Sequence, residues 1–343
     1  MRLKEKLVLG SLVGSVRDGN RLALARLLSQ VENNTPEGKE CLNALFPYTG
    51  KAHLIGITGA PGSGKSTLLN QLAYTFRHPP EGEQTRRVAI VAVDPTSPFS
   101  GGAILGDRVR MRELAGDPDV FIRSMAARGS LGGLASRTAE VVQVFDAAGF
   151  EIIFIETVGA GQNEVDIARL AHTTIVVETP GTGDEIQAIK AGILEIADIL
   201  VINKADSPLV DNSEFALRSM LDMAPIGTDY YHSMEMRNNP GLNSPKDWQI
   251  PILRTVATER QGIDALYQTI QSHAEFLQES QEWIERERVN LQTILDNLIQ
   301  NSLIDQWRKS ISNDVYQTVL ESLISRQTSP YQALQILMKG VLP

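Results

Sequence analysis

A chain of 343 residues exceeds one typical domain and can bury a large core, and its 42% hydrophobic and 21% charged residues are the proportions of a globular protein. A formal net charge of −9 supplies no excess positive field to draw in phosphate backbones, which argues against a nucleic-acid binder. The single cysteine, Cys41, excludes an internal disulfide and a cysteine-built zinc cage, and it fits a reducing compartment and a place in the core.

No stretch reaches the roughly 18 uninterrupted apolar residues that a membrane span needs. The N-terminus reads as an amphipathic helix rather than a signal peptide, because its apolar part is short and no small-residue cleavage site precedes Arg17-Asp18. A cytoplasmic protein is therefore expected. Across residues 1–50, Leu7, Leu12, Val13 and Val16, then Leu22, Leu24, Leu27, Leu28 and Val31, recur near helical spacing. Gly19-Asn20 and Asn33-Asn34-Thr35-Pro36 break the pattern, so two or three helices form a collar that carries no chemistry.

Between residues 51 and 261, short apolar runs alternate with helical patterns. The runs are Leu54–Thr58, Val88–Val93, Val120–Arg123, Ile152–Ile155, Thr174–Val177, Ile199–Ile202 and Ile252–Val256, and helical stretches are expected at 65–76, 133–148 and 184–197. Runs apolar on both faces argue for an α/β domain with a mainly parallel sheet covered by helices on both sides, whose ligands bind at the carboxyl ends of the strands.

The first of these runs enters GAPGSGKST, which fits G-x-x-x-x-G-K-[ST] at Gly59, Gly64, Lys65 and Ser66. The backbone of Gly59, Ala60, Pro61, Gly62, Ser63 and Gly64 can close around phosphates at the start of a helix. Lys65 would reach the β- and γ-phosphates, Ser66 would ligate Mg²⁺, and Thr67 continues the first turn. This is a nucleotide-binding chain, with the P-loop NTPase type of fold.

Asp94 ends the second run, and Asp107 lies in the Gly-rich VDPTSPFSGGAILGDRVRM. Asp107 can contact metal, cap the following helix, or both. Glu156 and Gly159 form an E-x-x-G where many GTPases have D-x-x-G. The carboxylate can hold Mg²⁺ and the Gly159 N–H can sense the γ-phosphate. Gln162 is a candidate for positioning water or for a structural role, and Lys65, Glu156 and Gln162 are the candidate catalytic residues. Asp184 and Glu185 open a helix after Pro180-Gly181-Thr182-Gly183, as a plain helix start or as a further nucleotide-sensitive switch. Asn203-Lys204-Ala205-Asp206 is an N-K-x-D. Its Asp206 carboxylate can accept from guanine N1–H and the 2-amino group, a donor pair adenine lacks. Five scattered histidines offer no transition-metal spacing.

Residues 225–250, rich in Asn, Gly, Pro and Ser, read as a surface excursion. From 262 the tail is nearly all helical, with Leu266, Ile270, Ala274, Leu277, Ile284, Leu291, Leu295 and Leu298 in a near-seven-residue rhythm. One or two long helices are expected, either self-associating or folded back on the sheet. The expected division is 1–50, 51–261 and 262–343.

These motifs together resemble the MeaB/ArgK family of P-loop GTPases over about residues 1–340. The marks are GAPGSGKST, VDPTSPFSGGAILGDRVRM, ETVGAGQNE, GTGDEIQAIKAGILEIADILVINKAD and the terminal helices. The resemblance implies a GTPase chaperone that gates cofactor loading and protection of an adenosylcobalamin-dependent acyl-CoA mutase such as methylmalonyl-CoA mutase. It also implies a homodimer held by the C-terminal helices. It makes Asp94, Asp107 and Glu156 the Mg²⁺-region acids, and Asn203, Lys204 and Asp206 the guanine reader. Asp184, Glu185 and Lys190 become the switch that relays nucleotide state. The older family label, an arginine/ornithine transport-system kinase, implies instead a phosphotransferase, and a metal-insertion GTPase shares the architecture. In the last nucleotide loop, Thr255-Val256-Ala257-Thr258 stands where relatives commonly show a Ser-Ala pair. The Ala257 N–H could still meet guanine O6, while serine's side-chain help is expected to be lost.

Overall fold

The computed structural model describes residues 2–95, 114, 116–127, 133–157, 170–181, 196–223 and 248–338. These form two compact units, Met1–Asn290 and Leu291–Pro343. Asp107, Gly159, Gln162, Asp184, Glu185, Lys190 and most of the 225–250 excursion and of the 184–197 helical stretch lie outside the described residues. Of Asp94, the backbone alone is described.

In the first unit three helices come first, α1 (Arg2–Arg17), α2 (Arg21–Glu32) and α3 (Pro36–Leu45). Each break falls where the sequence supplies a cap. The Asn20 side chain accepts from the N–H groups of Leu22 and Ala23, and Thr35 accepts from Gly38 with Pro36 following it. Gly38 lets α3 press on α2, since a Cβ there would lie 2.9 Å from the Gln30 carbonyl. Cys41 is fully buried in this layer, and burial, with Glu40 and Glu37 adding, pushes its thiol up to about 11.

Among the described residues seven strands follow: β1 (His53–Gly59), β2 (Val88–Pro95), β3 (Val120–Ala127), β4 (Ile152–Thr157), β5 (Thr173–Glu178), β6 (Ile199–Asn203) and β7 (Ile252–Thr255). They make one sheet in the order β3-β2-β4-β1-β5-β6-β7, parallel at every pairing. The expected α/β architecture is what forms. β1, β4, β5 and β6 are buried at every residue, because helices cover both faces. On one face Ile55, Ile57, Ile90, Phe154 and Val177 pack with α4 (Lys65–Arg77) and α7 (Ile263–Glu279). Phe76 of α4 meets Phe154 and Tyr267 edge-on at centroid distances of 5.8 and 4.7 Å. On the other face Phe121 packs on Phe145 of α5 (Gly133–Ala147). α6 (Val210–Met223) lies against β6 and β7.

The tail differs from the one or two long helices expected. After α7 come α8 (Glu282–Ser310), α9 (Asn313–Ile324) and α10 (Pro330–Met338), so among the described residues four helices occupy it. The first break comes at Gln281, whose φ of 65° is left-handed and ends the helix without a glycine. The next helix start is capped by Ser312, which accepts from Val315 N–H. α7 packs against α4 within the first unit, where it helps to build the core of the nucleotide domain. Among the described residues no helix is long and apolar enough to cross a membrane.

At the amino ends of β1, β5 and β6 lies a buried polar cluster. Arg286 of α8 donates two hydrogen bonds of 2.9 Å to Asp198 and one of 2.7 Å to the His172 carbonyl. His172 stacks on Trp283 at 4.0 Å, and Thr173 Oγ1 links His53 (2.7 Å) to His273 (2.9 Å). Burial drives the His53 imidazole down to about 3 and that of His273 to about 4. For Asp198, burial acts upward, but Arg286 and His273 outweigh it and hold the carboxyl below its usual range. Below about 6.5 the unfolded chain takes up protons at both histidines while the folded protein does not. Stability should therefore fall as pH drops from about 6.5 toward 4 and be indifferent to these groups above that window. Melting curves at pH 7.5, 5.5 and 4.5 check this; a level midpoint would show the cluster taking up protons while folded.

Candidate functional site

The carboxyl ends of β1, β4, β6 and β7 bring the motifs together. Gly59 closes β1 at φ 132°, and a Cβ there would stand 2.0 Å from the Val177 carbonyl oxygen of β5. The chain can turn here only without a side chain. Gly64 at φ 90° has the same constraint from another neighbour, since its Cβ would fall 2.3 Å from Asn203 Nδ2. Gly62 (φ 78°) faces open space, so its backbone angle alone calls for glycine.

Lys65 opens α4 and is 6% exposed. Its ammonium bridges the loop, donating to the carbonyls of Gly59 (2.7 Å) and Ala60 (2.8 Å). The next residue, Ser66, donates to Glu156 Oε1 at 2.6 Å. Glu156, next to last in β4, is in register with Ile57 of β1 and Ala92 of β2, and it is 1% exposed. Hydroxyl and carboxylate oxygens side by side are the hard donor set that Mg²⁺ takes. Asp94 follows Ala92 by two positions on β2, so its backbone lies at the same carboxyl end, one residue before the neighbouring strand stops. The Ser63 hydroxyl, inside the turn, is buried with no hydrogen-bond partner among the described residues. Pro61 is exposed on the rim, and Thr67 is half-buried in the first turn of α4.

Asn203 joins three segments. Its Nδ2 donates to the Ser63 carbonyl (2.8 Å), and its Oδ1 accepts from Thr255 Oγ1 and from Ala257 N–H, both at 3.1 Å. Lys204, at φ 58°, lays its chain back and donates to the Gly62 carbonyl at 2.9 Å. The left-handed turn leaves Asp206 exposed beyond it, and Ala205 N–H is held by the Thr255 carbonyl at 3.0 Å. Phosphate loop and N-K-x-D loop are therefore one braced unit.

The sequence places Thr255 in the last nucleotide loop but assigns its hydroxyl no role. Val256 is buried, and the Thr255 hydroxyl supplies side-chain support to this loop by donating to Asn203 Oδ1. The Ala257 N–H is oriented by Asn203, and Thr258 follows it in a short 3₁₀ turn. Thr255→Val keeps the shape and removes the hydroxyl, leaving Asn203 Oδ1 with one donor; a loss of about 1 kcal/mol in stability is expected. GDP affinity should fall several-fold with it, as calorimetry would register, and unchanged affinity would show that Ala257 N–H alone orients Asn203.

A glycine-rich turn at a strand end, a buried lysine across its mouth and an N-K-x-D loop tied to it define a nucleotide-binding protein of the P-loop class. The family described as methylmalonyl Co-A mutase-associated GTPase MeaB matches residues 24–312, and the chain belongs to it. A Pyrococcus horikoshii protein named as a GTPase is 40% identical over 331 residues, 96% of this chain and 98% of its own. GTPase ArgK of Escherichia coli is 34% identical over 307 residues, covering 85% and 86%. Among solved structures, the crystal structure of an LAO/AO transport system kinase is similar with TM-score 0.66 and 26% identity, across 98% of each chain. The protein is a GTP-hydrolysing enzyme that binds guanine nucleotide.

Proposed function

We propose that this GTPase is a nucleotide-gated chaperone for an adenosylcobalamin-dependent acyl-CoA mutase of the methylmalonyl-CoA mutase type, governing loading of the cofactor and protection of the mutase. The observation that carries the reading is membership of a family described by its association with that mutase. In this reading Gly59–Thr67 hold the phosphates. Asn203, Lys204 and Asp206 read guanine together with Val256, Ala257 and Thr258. Ser66 and Glu156, with Asp94 and Asp107, would hold Mg²⁺, and the ion would neutralise charge between the β- and γ-phosphates. Lys65 supplies fixed positive charge to the transferring phosphoryl group, and Gln162 orients the attacking water. Gly159, Asp184, Glu185 and Lys190 relay nucleotide state to the client.

Two further features of the reading have their own support. On α8, Leu291, Leu295 and Leu298 share one helical face and are 45%, 57% and 47% exposed, which favours a homodimer built on the C-terminal helices. A monomer mass by light scattering would remove that part. The lone buried thiol accords with a reducing, cytoplasmic setting. The central test is co-purification with a cobalamin-dependent mutase in the presence of a non-hydrolysable GTP analogue or GDP. Association that depends on which nucleotide is bound is expected, and no association with either would end the proposal.

A further inference from the structure

The loop that follows β7 reads guanine in the assignment above, and on that assignment the present inference rests. Its own backbone closes it loosely: Val256 N–H donates to the Gln261 carbonyl at 3.1 Å, and Gln261 N–H returns to the Val256 carbonyl at 3.3 Å. Between them sit Ala257–Glu259 and then Arg260, held at φ 61°. A left-handed non-glycine residue is uncommon and needs surroundings that fix it. Here the turn sends the Arg260 side chain away from β7 and onto α4. Its Nε donates to Gln71 Oε1 at 2.5 Å, and its guanidinium lies 3.9 Å from the centroid of the Tyr74 ring. Tyr74 is in turn stacked on His78 at 4.2 Å. Gln71 is only 9% exposed, so this hydrogen bond is sheltered from water.

α4 is the helix that begins with Lys65 and Ser66. The same helix therefore carries the phosphate-facing groups at its start and, two turns later, the anchor for the purine loop. We propose that Arg260 is a positioning residue for guanine selectivity, a strut that fixes the Val256–Thr258 loop at a set distance from the phosphate-binding turn. A nucleotide spans those two places, so the strut lets base and phosphates be met together without ordering the loop at the moment of binding. An arginine suits the task because its planar head donates along its edge while stacking on its face, which a lysine cannot do.

The test compares Arg260→Asn, Gln71→Leu and the double variant. Asparagine is chosen because it tolerates the left-handed backbone. Calorimetry with GDP and ADP, GTPase kinetics and thermal melting are measured for each. Arg260→Asn should weaken GDP binding about tenfold and leave ADP binding as it was, narrowing the guanine preference, while KM for GTP rises far more than kcat changes. Gln71→Leu, which breaks the strut from the helix side, should produce part of the same loss, and the double variant should be no worse than Arg260→Asn alone. Arg260→Lys should restore less than half of the lost affinity. A variant that melts like wild type and retains its GDP-over-ADP preference overturns the inference, as does an equal loss for GDP and ADP. Wild-type protein that fails to separate GDP from ADP removes the guanine reading itself, and the strut with it.

Discussion

Asp206→Asn is expected to lower GDP affinity by about a hundredfold or more and to transfer the preference toward xanthosine diphosphate. In the proposed site the carboxylate would present two acceptors to two donors of guanine, N1–H and the 2-amino group. An asparagine amide keeps one acceptor for N1–H and turns the other position into a donor, so an N–H would face the 2-amino group and both of those donors would go unsatisfied. Xanthine carries an oxygen at that position and pairs with the amide instead. The fold should be unaffected, because Asp206 is exposed and the loop is braced by Asn203, Lys204 and Thr255. Calorimetry with GDP, ADP and XDP on both proteins decides it; an unaltered GDP constant would mean that guanine is read elsewhere.

Lys65→Met should reduce single-turnover GTP hydrolysis by about a hundred- to a thousandfold, the range seen when one preorganised charge donor is removed from a transition state. Methionine keeps the stem of the side chain and so preserves packing in a position that is 6% exposed. What disappears is the ammonium that now spans the carbonyls of Gly59 and Ala60 and that would turn to the transferring phosphoryl group. The change leaves two carbonyl oxygens short of a donor, so a modest drop in melting temperature accompanies it. Hydrolysis at the wild-type rate would show that the charge is supplied from another residue.

How much of this was legible in the chain depends on the distance over which each feature is encoded. The phosphate turn is local: its glycines, lysine and serine are contiguous, and the left-handed φ values at 62 and 64 follow from the residue type. The parallel sheet was legible because strands buried on both faces read as unbroken apolar runs. The brace through Thr255 was not, since it joins β7 to Asn203 across 52 positions and no periodicity marks it. Nor was the cluster of His53, His172, Asp198, His273, Trp283 and Arg286, whose members are scattered through the chain and meet only after β1, β5, β6 and α8 are placed. The number of helices in the tail was missed for a related reason. Gln281 ends α7 in a left-handed turn ordinarily occupied by glycine or asparagine, so the usual stop signal was lacking.

The two kinds of glycine in the phosphate turn would separate under different selections. In a mutant library screened only for production of folded protein, position 59 should admit no substitute, because any side chain would be driven into the backbone of the adjoining strand. Position 62, bordered by nothing within 4 Å, should tolerate asparagine or aspartate until catalytic turnover is imposed as a second criterion. Strict glycine at the first site is therefore a demand of architecture and would persist in a descendant that had abandoned nucleotides altogether.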